Sequence, residues 1–238
     1  MYASSDGFAG YQSPNDWFVP DTTQRHTLGL MADFVDPFWG TGTMVYGKAS
    51  GAIAMGLVCV FDELYNAVGV PNATIQGFPV CVAMNKMATL TYGWFLVAGM
   101  AYYATTATVA ADAAIAISGV GTLGATAVSK GINNCRNRIS ATGTVAKTAV
   151  PTVNNSSILY LSQGYDGWRL GTALSGTGIP GATLVAKLGP DGNTVYMGSA
   201  IGTVDKLATA SGSVTVTGTY TAFGVGMIMY PFAQGAIT

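Results

Sequence analysis

Proton transfer, metal binding and acyl transfer need His, Cys or carboxylate groups within reach of one another, and this chain supplies few of them. Its one histidine, His26, sits between Arg25 and Thr27, and a His-dependent acyl-transfer triad would have to recruit it. Proton-transfer work also demands a shaped cleft, so it reads as an exposed or interface residue. The carboxylate pairs Asp33 with Asp36 and Asp62 with Glu63 read as turns. Asp36-Pro37 is a natural turn start, and Asp62-Glu63 directly follows an apolar run, where adjacent side chains point to opposite faces and cannot share a proton or a metal. Cys59, Cys81 and Cys135 are widely spaced with no Cys-x-x-Cys pair, which writes neither a zinc knuckle nor a disulfide framework. Cys59 in Leu-Val-Cys-Val and Cys81 in Pro-Val-Cys-Val read as small core residues. Gly119-Val120-Gly121-Thr122-Leu123-Gly124 fits G-x-G-x-x-G, but a phosphate loop needs a following helix and an acid about 20 residues on. No helical pattern follows, and the next acid is Asp166. The reading is therefore of a non-enzyme with no catalytic residue, cofactor or metal.

Two features point to contact surfaces instead. Lys130, Arg136, Arg138 and Lys147 form a basic run with no acid between Asp112 and Asp166, read either as a patch facing an acidic protein partner or as a solvated loop rim. The first 26 residues carry Tyr2, Phe8, Tyr11, Trp17 and Phe18 among Gly, Pro, Ser and Asn. They read as an extended arm whose rings gain free energy by filling a neighbour's grooves. The arm aromatics and the basic run are the expected partner contacts.

The elements that position these residues follow from composition. Of 238 residues, 10 are Lys or Arg and 11 are Asp or Glu, so charges make up 9 % against 50 % apolar residues, and the net charge is -1. An average domain is about 25 % charged, so the exterior is poor in ions. Disorder is excluded by the apolar content, and steering of nucleic acid or an anionic membrane by the absence of net charge. The opening residues lack the basic start and apolar core of a secretory signal, which leads to an expectation of synthesis in the cytosol. Residues 87–111 carry no charge, long enough to cross a bilayer, but their Thr, Tyr and Gly content suits a pleated strand rather than a membrane helix.

With 32 Gly and short β-biased runs between Gly, Asn and Pro, the pattern predicts an all-β fold: a barrel or sandwich core, a second small β-sandwich module and the extended N-terminal arm. The expected domains are the arm at 1–26, a core at 27–150 completed by 219–238, and the module at 151–218. Strands are expected at 43–46, 52–61, 79–84, 90–97, 113–117, 142–150, 157–161, 183–188, 194–197, 213–217 and 222–229. In Ser213-Val214-Thr215-Val216-Thr217 the valines share one face and the hydroxyls the other. Gly189-Pro190-Asp191-Gly192-Asn193 is a hairpin turn, Pro presetting φ and Gly accepting a positive one.

Several stretches resemble tailed-bacteriophage capsid decoration (cement) proteins. They are Ala32-Asp33-Phe34-Val35-Asp36-Pro37, then Gly42 to Lys48, Met55-Gly56-Leu57-Val58-Cys59-Val60, Val80 to Met84, Tyr92-Gly93-Trp94, and the ending Tyr230-Pro231-Phe232-Ala233-Gln234-Gly235-Ala236-Ile237-Thr238. Residues 171–183, from Gly171-Thr172-Ala173 to Gly181-Ala182-Thr183, resemble a small β-module of phage structural proteins. The resemblance implies a structural virion protein on the capsid exterior. Such a protein is made in the host cytoplasm, binds the major capsid protein as a dimer or trimer, and stabilises the shell without catalytic residues. A second reading makes residues 151–218 a fibre- or adhesin-like module in which Trp168 and Tyr165 stack on host-surface glycan.

Overall fold

The computed structural model describes residues 19–238 except 37–39, 76, 107–108, 126–128, 140–141, 166, 190, 221–222 and 235–238. The arm residues Tyr2, Phe8, Tyr11, Trp17 and Phe18 lie outside the described residues. The fold is all-β, and among the described residues no helix occurs. The chain divides into two units, one of residues 1–141 with 222–238 and one of residues 142–221. The expected boundary at 150/151 falls inside a strand and moves nine residues earlier.

The first unit holds β1 (Met31–Asp36), β2 (Gly40–Ala49), β3 (Val58–Phe61), β4 (Asn66–Gly69), β5 (Val80–Ala83), β6 (Tyr92–Ala104), β7 (Ala114–Gly119), β8 (Thr122–Ala125), β9 (Gly131–Ile139) and β16 (Phe223–Gln234). They form one sheet in the order β1-β2-β4-β3-β5-β6-β16-β9-β7-β8. Strand β2 also pairs with β6, Val45 opposite Phe95 and Tyr46 opposite Trp94, which closes β2-β4-β3-β5-β6 into a ring.

That closure explains why β3 and β5 are buried at every position. Odd-numbered side chains from all five ring strands, Val45, Cys59, Phe61, Ala67, Cys81, Ala83 and Phe95, share one core, which is the ring interior. Even-numbered ones, Met44, Tyr46, Val58, Val60, Val82, Trp94 and Leu96, join a second core with residues of β1, β7, β8, β9 and β16. Strands buried on both faces read as continuous apolar runs, without the alternation of a half-exposed sheet. A five-stranded bore is narrow, so small residues fill it around two rings, Phe61 and Phe95, packed edge to face at 5.1 Å. Gly47 faces the same space: a Cβ there would lie 2.6 Å from the Phe61 ring.

The second unit holds β10 (Gly143–Thr152), β11 (Ile158–Tyr160), β12 (Ala173–Ser175), β13 (Thr183–Leu188), β14 (Thr194–Gly198) and β15 (Gly212–Tyr220), in the order β10-β15-β12-β13-β14-β11. The alternation expected in 213–217 is present: Val216 is buried, Val214 half-buried and Thr215 exposed. The hairpin turn stands between β13 and β14. Gly192 has φ 76, and Asp191 Oδ1 accepts from the backbone N–H groups of Asn193 and Thr194.

The uncharged run 87–111 contains β6, and among the described residues no helix is long and apolar enough to cross a membrane. The strand expected at 113–117 is β7. Strand β9, Gly-Ile-Asn-Asn-Cys-Arg-Asn-Arg-Ile, is a strand that local pattern did not announce. Three Asn and two Arg give it loop composition, and pairing on both sides, with β16 and β7, makes it a strand.

Candidate functional site

The side chains with chemical potential are each engaged in holding the fold. Cys59 and Cys81 face each other across β3 and β5 inside the ring. Burial pushes the Cys59 thiol up to about 12 and the Cys81 thiol well above its usual value. Burial likewise raises Cys135 to about 12. Thiols held neutral in this way are poor nucleophiles. Asp62 Oδ1 accepts from the backbone N–H groups of Leu64 and Asn66, and Oδ2 from the Asn66 amide. The Asn66 amide, then the backbone donors, hold its carboxyl below the usual range. Asp33 Oδ1 accepts from the Thr43 hydroxyl at 2.7 Å across the β1–β2 pair. The side chain of Asp36 lies outside the described residues. Among the described residues no group of three or more His, Cys, Asp or Glu could hold a metal ion.

The Gly119–Gly124 pattern is the β7–β8 hairpin, followed by strand rather than helix. Gly121 donates its N–H to the Val70 carbonyl, accepts from the Val58 N–H, and packs on Leu57. Its glycine serves close packing: a Cβ there would lie 2.3 Å from the Leu57 side chain.

The structure divides the basic run. Lys147 is buried on β10 of the second unit, whereas Lys130, Arg136 and Arg138 belong to the first. Lys130 Nζ donates to Asn72 Oδ1 at 2.9 Å. Arg138 pairs with the Asp112 carboxylate at 2.9 Å, and Arg136 Nε donates to the Asp112 carbonyl at 2.7 Å. The loop-rim expectation is corrected for Arg136 and Arg138, which stand two residues apart on the exposed side of β9.

His26 is corrected too: its ring is half-buried, edge-on to Tyr46 at 5.0 Å and tilted on Trp94 at 5.5 Å. It belongs to a clamp that sequence reading missed, centred on Asp21. The Asp21 backbone exchanges two hydrogen bonds with Tyr92, each 2.9 Å. Its carboxylate, 5 % exposed, accepts from the Tyr46 hydroxyl at 2.8 Å and pairs with Arg25 at 3.1 Å. Desolvation, reinforced by the Asp21 charge, pushes the Tyr46 phenol well above its usual range, so it remains a donor at any physiological pH. Residues 21–26, expected as part of the arm, are thus its root.

Among the described residues of the first unit, an exposed apolar row borders a groove. At Ala98, β6 pairs with β2 on one edge through Thr43 and with β16 on the other through Met229. Across the face of β6 at that point lies a groove of about 530 Å³, walled by Asp33, Phe34, Thr43, Met227, Met229 and Tyr230, with Gly99 in its lining. Gly99 has φ +116, and a Cβ would stand 3.0 Å from the Gly42 Cα, so only glycine keeps this lining thin. At the rim β16 bulges. Its register with β9 shifts between Ile228 and Phe232, and Tyr230 takes φ 49. The bulge leaves two consecutive side chains exposed, Met229 at 54 % and Tyr230 at 53 %, where a regular strand would bury one of them. Met227, Phe232 and Phe78 extend the exposed row, Phe78 accepting from the Ala233 N–H through its carbonyl. Arg136 stands opposite Met227 in register. The continuous apolar sequence of β16 hides which side faces out, so no periodicity could have announced this row.

In the second unit Trp168 and Tyr165 are buried, at 2 % and 8 % exposure. The Trp168 indole N–H donates to the Val145 carbonyl at 3.0 Å and the Tyr165 hydroxyl to the Gly189 carbonyl at 3.2 Å. Neither ring offers a face to a sugar. No protein family, curated protein or solved structure matches this chain.

Proposed function

We propose that this chain is a structural virion protein that docks on the outer surface of an assembled phage capsid and stabilises it by bridging neighbouring major capsid protein subunits. The observation that carries the reading is the exposed apolar row Phe78, Met227, Met229, Tyr230 and Phe232, on a protein with 21 formal charges in 238 residues. Such a surface can be covered by another polypeptide without stripping water from ions, the costly part of burying charge. Arg136 beside Met227 supplies a point charge for register on an acidic partner. The resemblance of residues 32–60 and 230–238 to capsid decoration proteins supports the same reading.

The mechanism is mechanical. A copy that binds two shell subunits only when they are adjacent makes their separation cost its own contacts, so stability rises by linkage. Arms reaching neighbouring copies add effective concentration. Mixing the purified protein with empty shells tests this: it should co-sediment with them and raise their rupture temperature. Failure to co-sediment overturns the proposal.

A further inference from the structure

We propose that Cys59 and Cys81 form a reversible cross-strand disulfide inside the ring under oxidising conditions. Two observations place the pair. The first is register. Strands β3 and β5 pair antiparallel with Val58 opposite Val82, Cys59 opposite Cys81 and Val60 opposite Val80, without a shift. In the same register the Ala83 N–H donates to the Leu57 carbonyl. Two residues along, Cys59 and Cys81 therefore fall at a hydrogen-bonded pair, where Cα atoms stand about 5.5 Å apart. A disulfide accepts about 4.4–6.8 Å. The second observation is orientation. Both side chains belong to the ring interior and both are fully buried. The Cys81 Sγ donates to the Cys59 carbonyl at 3.6 Å, so one sulfur already lies against the other residue. The Cys59 Sγ turns along its own strand to the Leu57 carbonyl at 3.6 Å, and rotation about χ1 brings it across.

The third thiol is kept out of this pairing: Cys135, on β9, packs against the second core and not the ring interior. At a hydrogen-bonded pair the Cβ atoms stand toward the wide end of about 4.5–5.5 Å, against about 3.8 Å in a relaxed disulfide. Closure draws the two strands together, and a bond held under that strain is readily reduced again. The step balances with a disulfide oxidant such as oxidised glutathione. One cysteine thiolate attacks a glutathione sulfur, forming a mixed disulfide and releasing one glutathione. The second thiolate attacks the protein sulfur of that mixed disulfide, forming the Cys59–Cys81 bond and releasing the other glutathione. Two protein thiols are oxidised, one glutathione disulfide is reduced to two thiols, and the two cysteine protons end on those thiols. In the closed ring both cysteines are neutral and sealed, so exchange waits on a local opening of β3 from β5. The bond ties these strands together in oxidising surroundings and releases them in reducing ones. The assignment does not rest on the capsid reading.

The test uses the full chain and its Cys135→Ala variant. Each is equilibrated with oxidised or reduced glutathione in moderate urea, which lets the ring open, and returned to urea-free buffer of the same redox composition. Remaining thiols are alkylated, and the chain is cleaved after Glu63, which lies between the two cysteines. In both proteins, oxidised glutathione should abolish alkylation of Cys59 and Cys81 and leave fragments joined through those two residues, and reduction should restore alkylation. Cys135 of the parent should stay alkylated throughout. The oxidised variant should keep its circular dichroism and unfold at a higher urea midpoint than the reduced one, because the cross-link restricts the unfolded chain. Cys59 and Cys81 still alkylated, glutathione left on either, or a bond to Cys135 or between chains would overturn the assignment. So would a closed form with altered circular dichroism or no gain in midpoint.

Discussion

The ring strands β3 and β5 and the strand β16 are all strongly apolar in sequence, yet β3 and β5 are sealed and β16 carries the exposed row. In the ring, closure through the β2–β6 pairing gives β3 and β5 two covered faces. Strand β16 lies between β6 and β9, outside that closure, with Ile228 and Ala233 in the core and Met227, Met229 and Tyr230 toward solvent. Hydrophobicity of a strand therefore tells how many faces it could cover, while closure tells how many are covered.

The contrast can be tested from its strongest side downward. Phe95→Ala empties the ring interior and should cost about 3–5 kcal/mol, read as a shifted urea midpoint. Alkaline pH attacks the same interior. The Cys59 thiol, at about 12 when folded, and the Cys81 thiol, held well above its usual value, ionise near 9 once the chain unfolds. Their raised folded values contribute stability in full below pH 9, lost as pH climbs toward 12 and beyond. The loss should be roughly 1.4 kcal/mol per thiol per pH unit. Denaturant curves at pH 8 and 10 should show it, and a Cys59→Ala/Cys81→Ala variant should flatten the slope.

Removing the clamp hydrogen bond with Tyr46→Phe leaves the buried Asp21 carboxylate short of a donor, at a cost of about 1–3 kcal/mol. Hydrogen exchange at Asp21 and Tyr92 should quicken with it. Asp191→Asn weakens the β13–β14 turn by at most about 1 kcal/mol. Burial alone would raise this carboxyl, but the Thr194 hydroxyl and the backbone donors hold it low. Its contribution is present above the ordinary Asp range and fades as pH falls below it, so parent and variant should converge in thermal melts taken in acid. On the row, Met229→Ser should change stability by no more than about 0.5 kcal/mol while weakening co-sedimentation with shells. A large stability loss there would erase the contrast with the ring.

Much of the fold was legible because it rests on local rules. Val214 and Val216 alternate with hydroxyls, Gly189 to Asn193 carries its own turn chemistry, and the missing helix after Gly124 already disqualified the phosphate loop. Strand β9 was not legible, since its Asn and Arg side chains carry loop preferences that long-range pairing overrides. Asp21 looked like one more polar residue of the arm, because its partners Tyr46 and Tyr92 are 25 and 71 residues away.

What composition and local pattern alone determined is the class of molecule: all-β and charge-poor. Tertiary structure alone decided which apolar residues remain outside. Cys59 and Met229 differ little in hydropathy. One lies in a closed bore and the other on a bulged strand beside a groove, because burial depends on which strands meet, and pairing partners far apart in the chain leave no trace in local periodicity.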